Sequence, residues 1–180
     1  MRLSRFFRHR KESGPLASSD IQSVSRSHVG RFRTLNEDRI LDRPDSRLWA
    51  IADGMGGHVN GSLAAETVIA HLGGLPQIQE PAAIRAAIEA ANGSILEQAG
   101  GESGTTIVAL KIFDDCARIW WAGDSRAYRL RDGKVDLLTR DHSLVQELVE
   151  VGEIAADEAA GHPRANVITR ALGIASSIDL

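Results

Sequence analysis

Leu48-Trp49-Ala50-Ile51-Ala52-Asp53-Gly54-Met55-Gly56-Gly57-His58 is the stretch that decides how this chain is read. Five apolar residues in a row fit a buried strand, and the strand would end in the carboxylate of Asp53. Three glycines within the next four positions lack the Cβ atoms that keep a ligand or ion away from main-chain carbonyls. A phosphate-binding P-loop is excluded, since no Gly-Lys-Ser/Thr follows. A dinucleotide fingerprint is excluded too, because the third glycine of its spacing falls on Val59. Two readings stay open from these residues alone: an Asp-Gly turn between strand and helix, or a site for a hard cation that takes oxygen ligands.

Working outward, Ile21–His28, Arg39–Leu41 and Leu48–Ala52 are short, partly apolar runs bounded by turn formers and are expected as strands. Ala64, Ala65, Val68, Ile69 and Leu72 recur three or four apart and predict a helix over 62–72, stopped by Gly73-Gly74. Pro81 suits the first turn of a second helix, whose stripe of Ile84, Ala87, Ile88, Ala91 and Ile95 runs to about Gln98. The runs 105–113, 117–122 and 126–130 then predict a meander of adjacent antiparallel strands. Asp132-Gly133 is a hairpin signal leading into 135–138. A helix over 143–152 and a shorter one over 167–172 complete the pattern. Strands, two helices and a strand meander predict an α+β sandwich rather than a parallel α/β sheet.

The 180 residues suit one domain, expected over 21–180 behind a basic, flexible leader over 1–20. Residues 1–11 carry five Lys or Arg and no acid, so against a total of −3 the remainder has a net charge of −8. An acidic body argues against nucleic acid as a partner. No apolar run is long enough for a secretory signal or a membrane span. Cys116 is the single cysteine, which excludes an internal disulfide or a thiolate cluster and fits the cytoplasm.

Three further pieces carry candidate chemistry. Gly30-Arg31-Phe32-Arg33-Thr34-Leu35-Asn36-Glu37-Asp38-Arg39 holds an adjacent acid pair, whose carboxylates can serve one ion only at a strand end or through waters. Arg33 in the same stretch offers a planar fork suited to phosphate. Trp121-Ala122-Gly123-Asp124-Ser125-Arg126 places a carboxylate at a turn between apolar strands, and Ser103-Gly104-Thr105-Thr106 reads as strand entry.

Taken in order, these pieces, followed by Thr139-Arg140-Asp141-His142-Ser143 and His162-Pro163-Arg164-Ala165-Asn166-Val167-Ile168-Thr169-Arg170-Ala171-Leu172-Gly173, resemble the bacterial branch of the PPM (type 2C) metal-dependent protein serine/threonine phosphatases. The resemblance covers roughly residues 21–180. It implies a sandwich of mostly antiparallel strands flanked by helices, and two Mg²⁺ or Mn²⁺ ions, with a third weaker one in bacterial members. The paired ions hold a water that attacks phosphoserine or phosphothreonine directly. Carried over by position, Asp53 bridges the metals and the Gly54 carbonyl ligates one of them. Glu37 and Asp38 hold metal-bound waters, Arg33 grips the substrate phosphate, and Asp124 serves the third metal. Residues 143–173 correspond to a flap beside the active site.

The resemblance further implies phosphoproteins as substrates and a cognate serine/threonine kinase as the opposing partner. Some members have a histidine, proposed as leaving-group acid, where this chain has Met55, which cannot donate a proton. A metal-bound water or His58 would then take that part. The family pattern continues past Leu180 with two more metal-binding aspartates, so residues 1–180 alone are expected to bind metal weakly and turn over slowly. The alternative function is a non-catalytic phosphoprotein-binding module of the same fold.

Overall fold

The structure is a computed structural model that describes residues 21–56, 59–114 and 116–180. The basic leader and His58 lie outside the described residues. Strand β1 (Asp38–Arg43) pairs antiparallel with β2 (Leu48–Met55), joined by a single 3₁₀ turn at Pro44–Ser46. Helices α1 (Val59–Gly73) and α2 (Pro81–Ala99) follow. The chain returns through β3 (Gly104–Thr105), β4 (Ile107–Ile112) and β5 (Ala117–Ala122), giving a sheet ordered β1-β2-β4-β5 with β3 on the end of β2. This is the mixed α+β architecture with antiparallel pairing that the element order predicts.

Alternation along β2 sets the layers. Leu48, Ala50 and Ala52 are buried against α1 and α2, together with Ile107 and Ala109 of β4 and Trp120 and Ala122 of β5. The helices answer with Ala64, Ala65, Val68 and Leu72 on α1 and Ile84, Ile88, Ala91 and Ile95 on α2. Fully burying one such Leu, Ile or Val contributes about 1.5–3 kcal/mol. Ile88→Ala would leave a cavity in this layer at a cost of about 2–5 kcal/mol. The opposite face of the sheet carries Trp49 and Ile51 of β2 and their neighbours Leu110 and Val108. No helix among the described residues covers it, and Ile51 is 45% exposed.

Both long helices end near glycine, as expected. Arg43 donates to the carbonyls of Gly73 and Leu75, each at 2.9 Å, supplying partners that the end of α1 lacks. Gly100, at φ 58°, closes α2 with its N–H on the Leu96 carbonyl at 2.8 Å. Strands β6 (Tyr128–Arg131) and β7 (Lys134–Leu137) pair as a hairpin. Its turn has Asp132 at φ 50° and Gly133 at φ 77°, the two positive values that a type I′ turn requires. Helix α3 (Leu144–Glu150) starts at Ser143, whose hydroxyl accepts from the Gln146 N–H at 3.3 Å.

Four expectations need correction. Ile21–His28 forms no strand: it pairs with no described strand and Val24 is 98% exposed, so nothing is there to complete a ladder. Strand β2 runs three residues further than 48–52, because Gly54 and Met55 pair with Thr105 and Gly104. Residues 126–130 do not extend the meander, since the chain turns out of the sheet at Gly123, at φ 106°, and β6 pairs with β7 instead. Residues 167–172 form no helix: Ile168 bridges Ser143 and Leu172 bridges Thr105, which draws this stretch into extended pairing.

Candidate metal centre

Sheet register builds the site. Asp38 and Asp53 are direct partners across β1 and β2. The register that pairs Ile51 with Val108 and Gly54 with Thr105 continues through Asp53 opposite Thr106, whose N–H donates to the Asp53 carbonyl at 2.9 Å. The next step of the β4–β5 register, beyond Ile107 and Ala122, brings Gly123 beside Thr106. A Cβ at Gly123 would lie 2.6 Å from Thr106 Cγ2, so only glycine fits there. Asp38, Asp53, Thr106 and Gly123 therefore form one line across the sheet on its helix-free face. Asp124 is the next residue along.

The electrostatics follow from this crowding. Asp53 keeps one side open to solvent, yet its carboxyl is partly desolvated by the atoms packed around it. That burial, and then the neighbouring Asp38 carboxylate, push the Asp53 carboxyl up to about 6, with Asp124 and Glu37 adding to the shift. Three other acids thus bear on one position. Among the described residues no three His, Cys, Asp or Glu side chains converge tightly enough to form a ready coordination set. Of the neighbouring acids, Asp38 bears most strongly on Asp53.

Glu37 and Asp38, adjacent in sequence, turn to different sides, as strand alternation demands. Glu37 reaches toward the first turn of α1: a Cβ on Gly61 would lie 2.7 Å from its Oε1. That oxygen is buried without a hydrogen-bond partner among the described residues. A buried carboxylate oxygen left unpaired is costly, which fits a water or cation partner. The sequence suggests that Gly54 opens space for a ligand, yet the structure gives that space to Gly61, whose carbonyl oxygen would be 2.1 Å from a Cβ at position 54. All-oxygen donors, two opposed carboxylates of which Asp53 has a raised proton affinity, and an orphaned buried carboxylate oxygen together suit a hard divalent cation.

Asp124 sits on a turn held from two directions. The Gly123 N–H donates to His142 Nδ1 at 3.2 Å, and the main-chain N–H of His142 returns to the Gly123 carbonyl at 2.9 Å. The His142 ring stacks on Trp121 at 5.9 Å between centroids. Burial, and then Arg170 and Arg140, hold the imidazole below its ordinary proton affinity. Beyond Asp124 opens a cleft of about 480 Å³, lined by Asp124, Arg126, Asp141, Ser143 and Val145 on one side and by Ala156 and its neighbours on the other. Arg126 and Asp141 are ion-paired at 2.5 Å across its edge.

Arg33 lies on the exposed stretch before β1, with no hydrogen bond or ion pair to these carboxylates among the described residues. The structure thus brings Asp38 and Asp53 together, sets Glu37 and Asp124 within their electrostatic reach, and leaves Arg33 apart. Thr106, Ser125 and His142 do not stand out as site residues in the sequence. Their signal is weak because each reads as an ordinary strand or turn residue until register places it.

No protein-family model matches the chain. Among curated proteins it is 39% identical over 162 residues to the serine/threonine protein phosphatase PstP of Mycobacterium tuberculosis, covering 84% of this chain and 31% of that protein. It is 36% identical over 171 residues to a putative type 2C protein phosphatase of Streptococcus pyogenes, covering 86% of this chain and 68% of that one. The chain therefore spans about a third of the length of the mycobacterial relative and about two thirds of the streptococcal one. Among solved structures it matches the catalytic domain of PstP in complex with two manganese ions, with a TM-score of 0.71 at 37% identity over 82% of this chain and 65% of that domain. With the order of motifs, the α+β fold and these relatives agreeing, the chain belongs to the PPM, or type 2C, family of metal-dependent serine/threonine protein phosphatases.

Proposed function

We propose that the protein hydrolyses phosphoserine and phosphothreonine in other proteins at a Mg²⁺ or Mn²⁺ centre nucleated by Asp38 and Asp53. The observation that carries this reading is the direct pairing of these two aspartates, with a proton affinity at Asp53 that only a cation or a proton relieves. When bound, the ions would supply an activated water for in-line attack on the phosphorus and offset the charge of the leaving oxygen. Asp53 would hold both ions with the Gly54 carbonyl contributing to one, and Glu37 and Asp38 would orient waters beside them. Asp124 would hold a further ion from the adjoining turn. Arg33, on its exposed loop, would grip the substrate phosphate as a bidentate partner.

The cleft beyond Asp124 suits the polypeptide that carries the phosphate. We further assign the protein to the cytoplasm, supported by a lone cysteine that cannot form an internal disulfide, and to opposition of a serine/threonine kinase. No helix among the described residues is long and apolar enough to cross a membrane. The test is hydrolysis of a phosphothreonine peptide with Mn²⁺, with EDTA, and with Asp53→Asn. Release of phosphate that needs the metal and Asp53 supports the reading, and metal-independent release that survives Asp53→Asn overturns it.

A further inference from the structure

Thr106 interrupts its strand for a reason the backbone makes plain. In a regular antiparallel pair, Asp53 and Thr106 would exchange two main-chain hydrogen bonds. One is made, from Thr106 N–H to the Asp53 carbonyl at 2.9 Å. The other is rerouted: the Asp53 N–H donates to the Thr106 side-chain oxygen, Oγ1, at 3.1 Å. The Thr106 carbonyl is taken instead by the hydroxyl of Thr105 at 3.0 Å, and that same hydroxyl lies 3.0 Å from the Asp53 carbonyl. Both threonines are buried, at 0% and 1% exposure, so no water competes for these contacts.

A main-chain carbonyl can only accept, but a hydroxyl that accepts still has a proton and a second lone pair to use. Thr106 Oγ1 spends this capacity on Ser125 Oγ at 2.7 Å. Ser125 is the residue after Asp124. The main chain of Asp53 is thus joined to the Asp124 turn through a single side-chain oxygen, while the methyl group of Thr106 packs into the space that Gly123 leaves open.

We propose that the Thr106 hydroxyl is a positioning group that fixes Asp53 and the Asp124 turn at the separation a shared divalent-cation centre requires. This rests on the metal-centre reading above, and it assigns to Thr106 and Ser125 a part in metal affinity that neither plays by direct ligation. Valine at 106 keeps the shape and loses the hydroxyl. Serine at 106 keeps the hydroxyl and loses only the methyl.

Mn²⁺ binding to the 180-residue chain is measured by isothermal titration, alongside hydrogen exchange of the Asp53 amide without metal. Thr106→Val should weaken Mn²⁺ binding by about tenfold or more, as loss of a supporting group around metal ligands does. It should also speed exchange at Asp53, and Thr106→Ser should restore both. Ser125→Ala, on a half-buried turn outside the core, should weaken Mn²⁺ binding in the same direction. Thr106→Val with Ser125→Ala should cost no more than Thr106→Val alone. Unchanged Mn²⁺ affinity in Thr106→Val, or fully additive losses in the double variant, would overturn the proposal. A thermal-shift increment on adding Mn²⁺ that is equal in wild type and Thr106→Val would make Thr106 a structural residue only, with the same consequence. Because these readouts need no turnover, they test the coupling of Thr106 to metal separately from phosphopeptide hydrolysis, and failure of the phosphatase reading would leave this one standing.

Discussion

Asp38 and Asp53 stand as direct partners on adjacent antiparallel strands, two like charges facing each other with no base between them in the row. Burial and this neighbour raise the Asp53 carboxyl from an ordinary 3.8 to about 6. The folded chain then binds that proton more tightly than the unfolded chain. The associated stability is complete below about pH 4 and is lost as pH rises through about 6. The metal-free protein should therefore show a urea midpoint that falls between about pH 4 and 7 relative to Asp53→Asn, which lacks the titrating group. Adding Mn²⁺ should reverse the order at neutral pH, because the ion replaces the proton. His142 works in the opposite sense: its depressed proton affinity gives stability that is present above 6.5 and lost on acidification. The comparison with Asp53→Asn isolates the aspartate because His142 is common to both. A flat difference curve would show that Asp53 is not perturbed.

Kinetics should separate the metal bridge from the phosphate grip. If Asp53 holds the ions as proposed, Asp53→Ala should reduce Mn²⁺-dependent kcat for a phosphothreonine peptide by about 10²–10³-fold or more, by removing the group that keeps charge stabilisation in place. If Arg33 grips the phosphate as proposed, Arg33→Ala should mainly raise KM, by about tenfold, because a bidentate contact in the ground state is largely uniform binding. Its Mn²⁺ titration midpoint should stay unchanged. A shifted midpoint with an unchanged KM would place Arg33 with the carboxylates instead.

Two glycines should respond in opposite directions to the same methyl group. At Gly54 an added Cβ meets the Gly61 carbonyl oxygen at 2.1 Å, so Gly54→Ala must push α1 away from β2. The expected loss is about 1–3 kcal/mol or more. Metal binding should weaken with it, because Gly61 also confines Glu37. At Gly93, inside α2, an added Cβ meets nothing within 4 Å. Gly93→Ala should stabilise by about 0.5–1 kcal/mol. Equal melting temperatures for the two variants would contradict the packing described for β2 and α1.

Asn92 is a buried polar residue in the middle of α2 with partners on both atoms of its amide. Its Oδ1 accepts from the Gly173 N–H at 2.8 Å and its Nδ2 donates to the Ala175 carbonyl at 2.9 Å. Asn92→Ala leaves both main-chain groups to find water, at about 1–3 kcal/mol for each that stays buried. Limited proteolysis should then cut first within residues 173–180. Unchanged protease resistance in Asn92→Ala would mean that this segment is held by other contacts.

Much of this is legible in the sequence, and the parts that are not share a cause. The stripes of α1 and α2 are local, and the structure keeps both with boundaries within three residues of those expected. Asp53 is marked by the glycines beside it, and Asp132-Gly133 by the φ values its turn needs. Thr106 carries no such mark. Its importance depends on which residue of a distant strand lies opposite, and register is a property of pairs. The same holds for Leu172, whose apolar neighbours at 167–171 suggest a helix until Thr105 claims it as a strand partner. Residues 21–28 alternate like a strand but pair with no strand among the described residues, and alternation alone cannot supply a ladder.

The single row of Asp38, Asp53, Thr106 and Gly123 has a consequence for how such a chain can change over generations. Adding or deleting one residue within β1, β2, β4 or β5 rotates every later side chain of that strand to the other face. A carboxylate would then enter the helix-packed layer, and an apolar residue would take its place in the row. A substitution on these four strands alters one position, whereas a length change moves every later position of its strand at once. Inherited insertions and deletions should accordingly gather in the connections, between β1 and β2 or between β4 and β5, and a library of single-codon deletions scored for Mn²⁺ binding would show the same division.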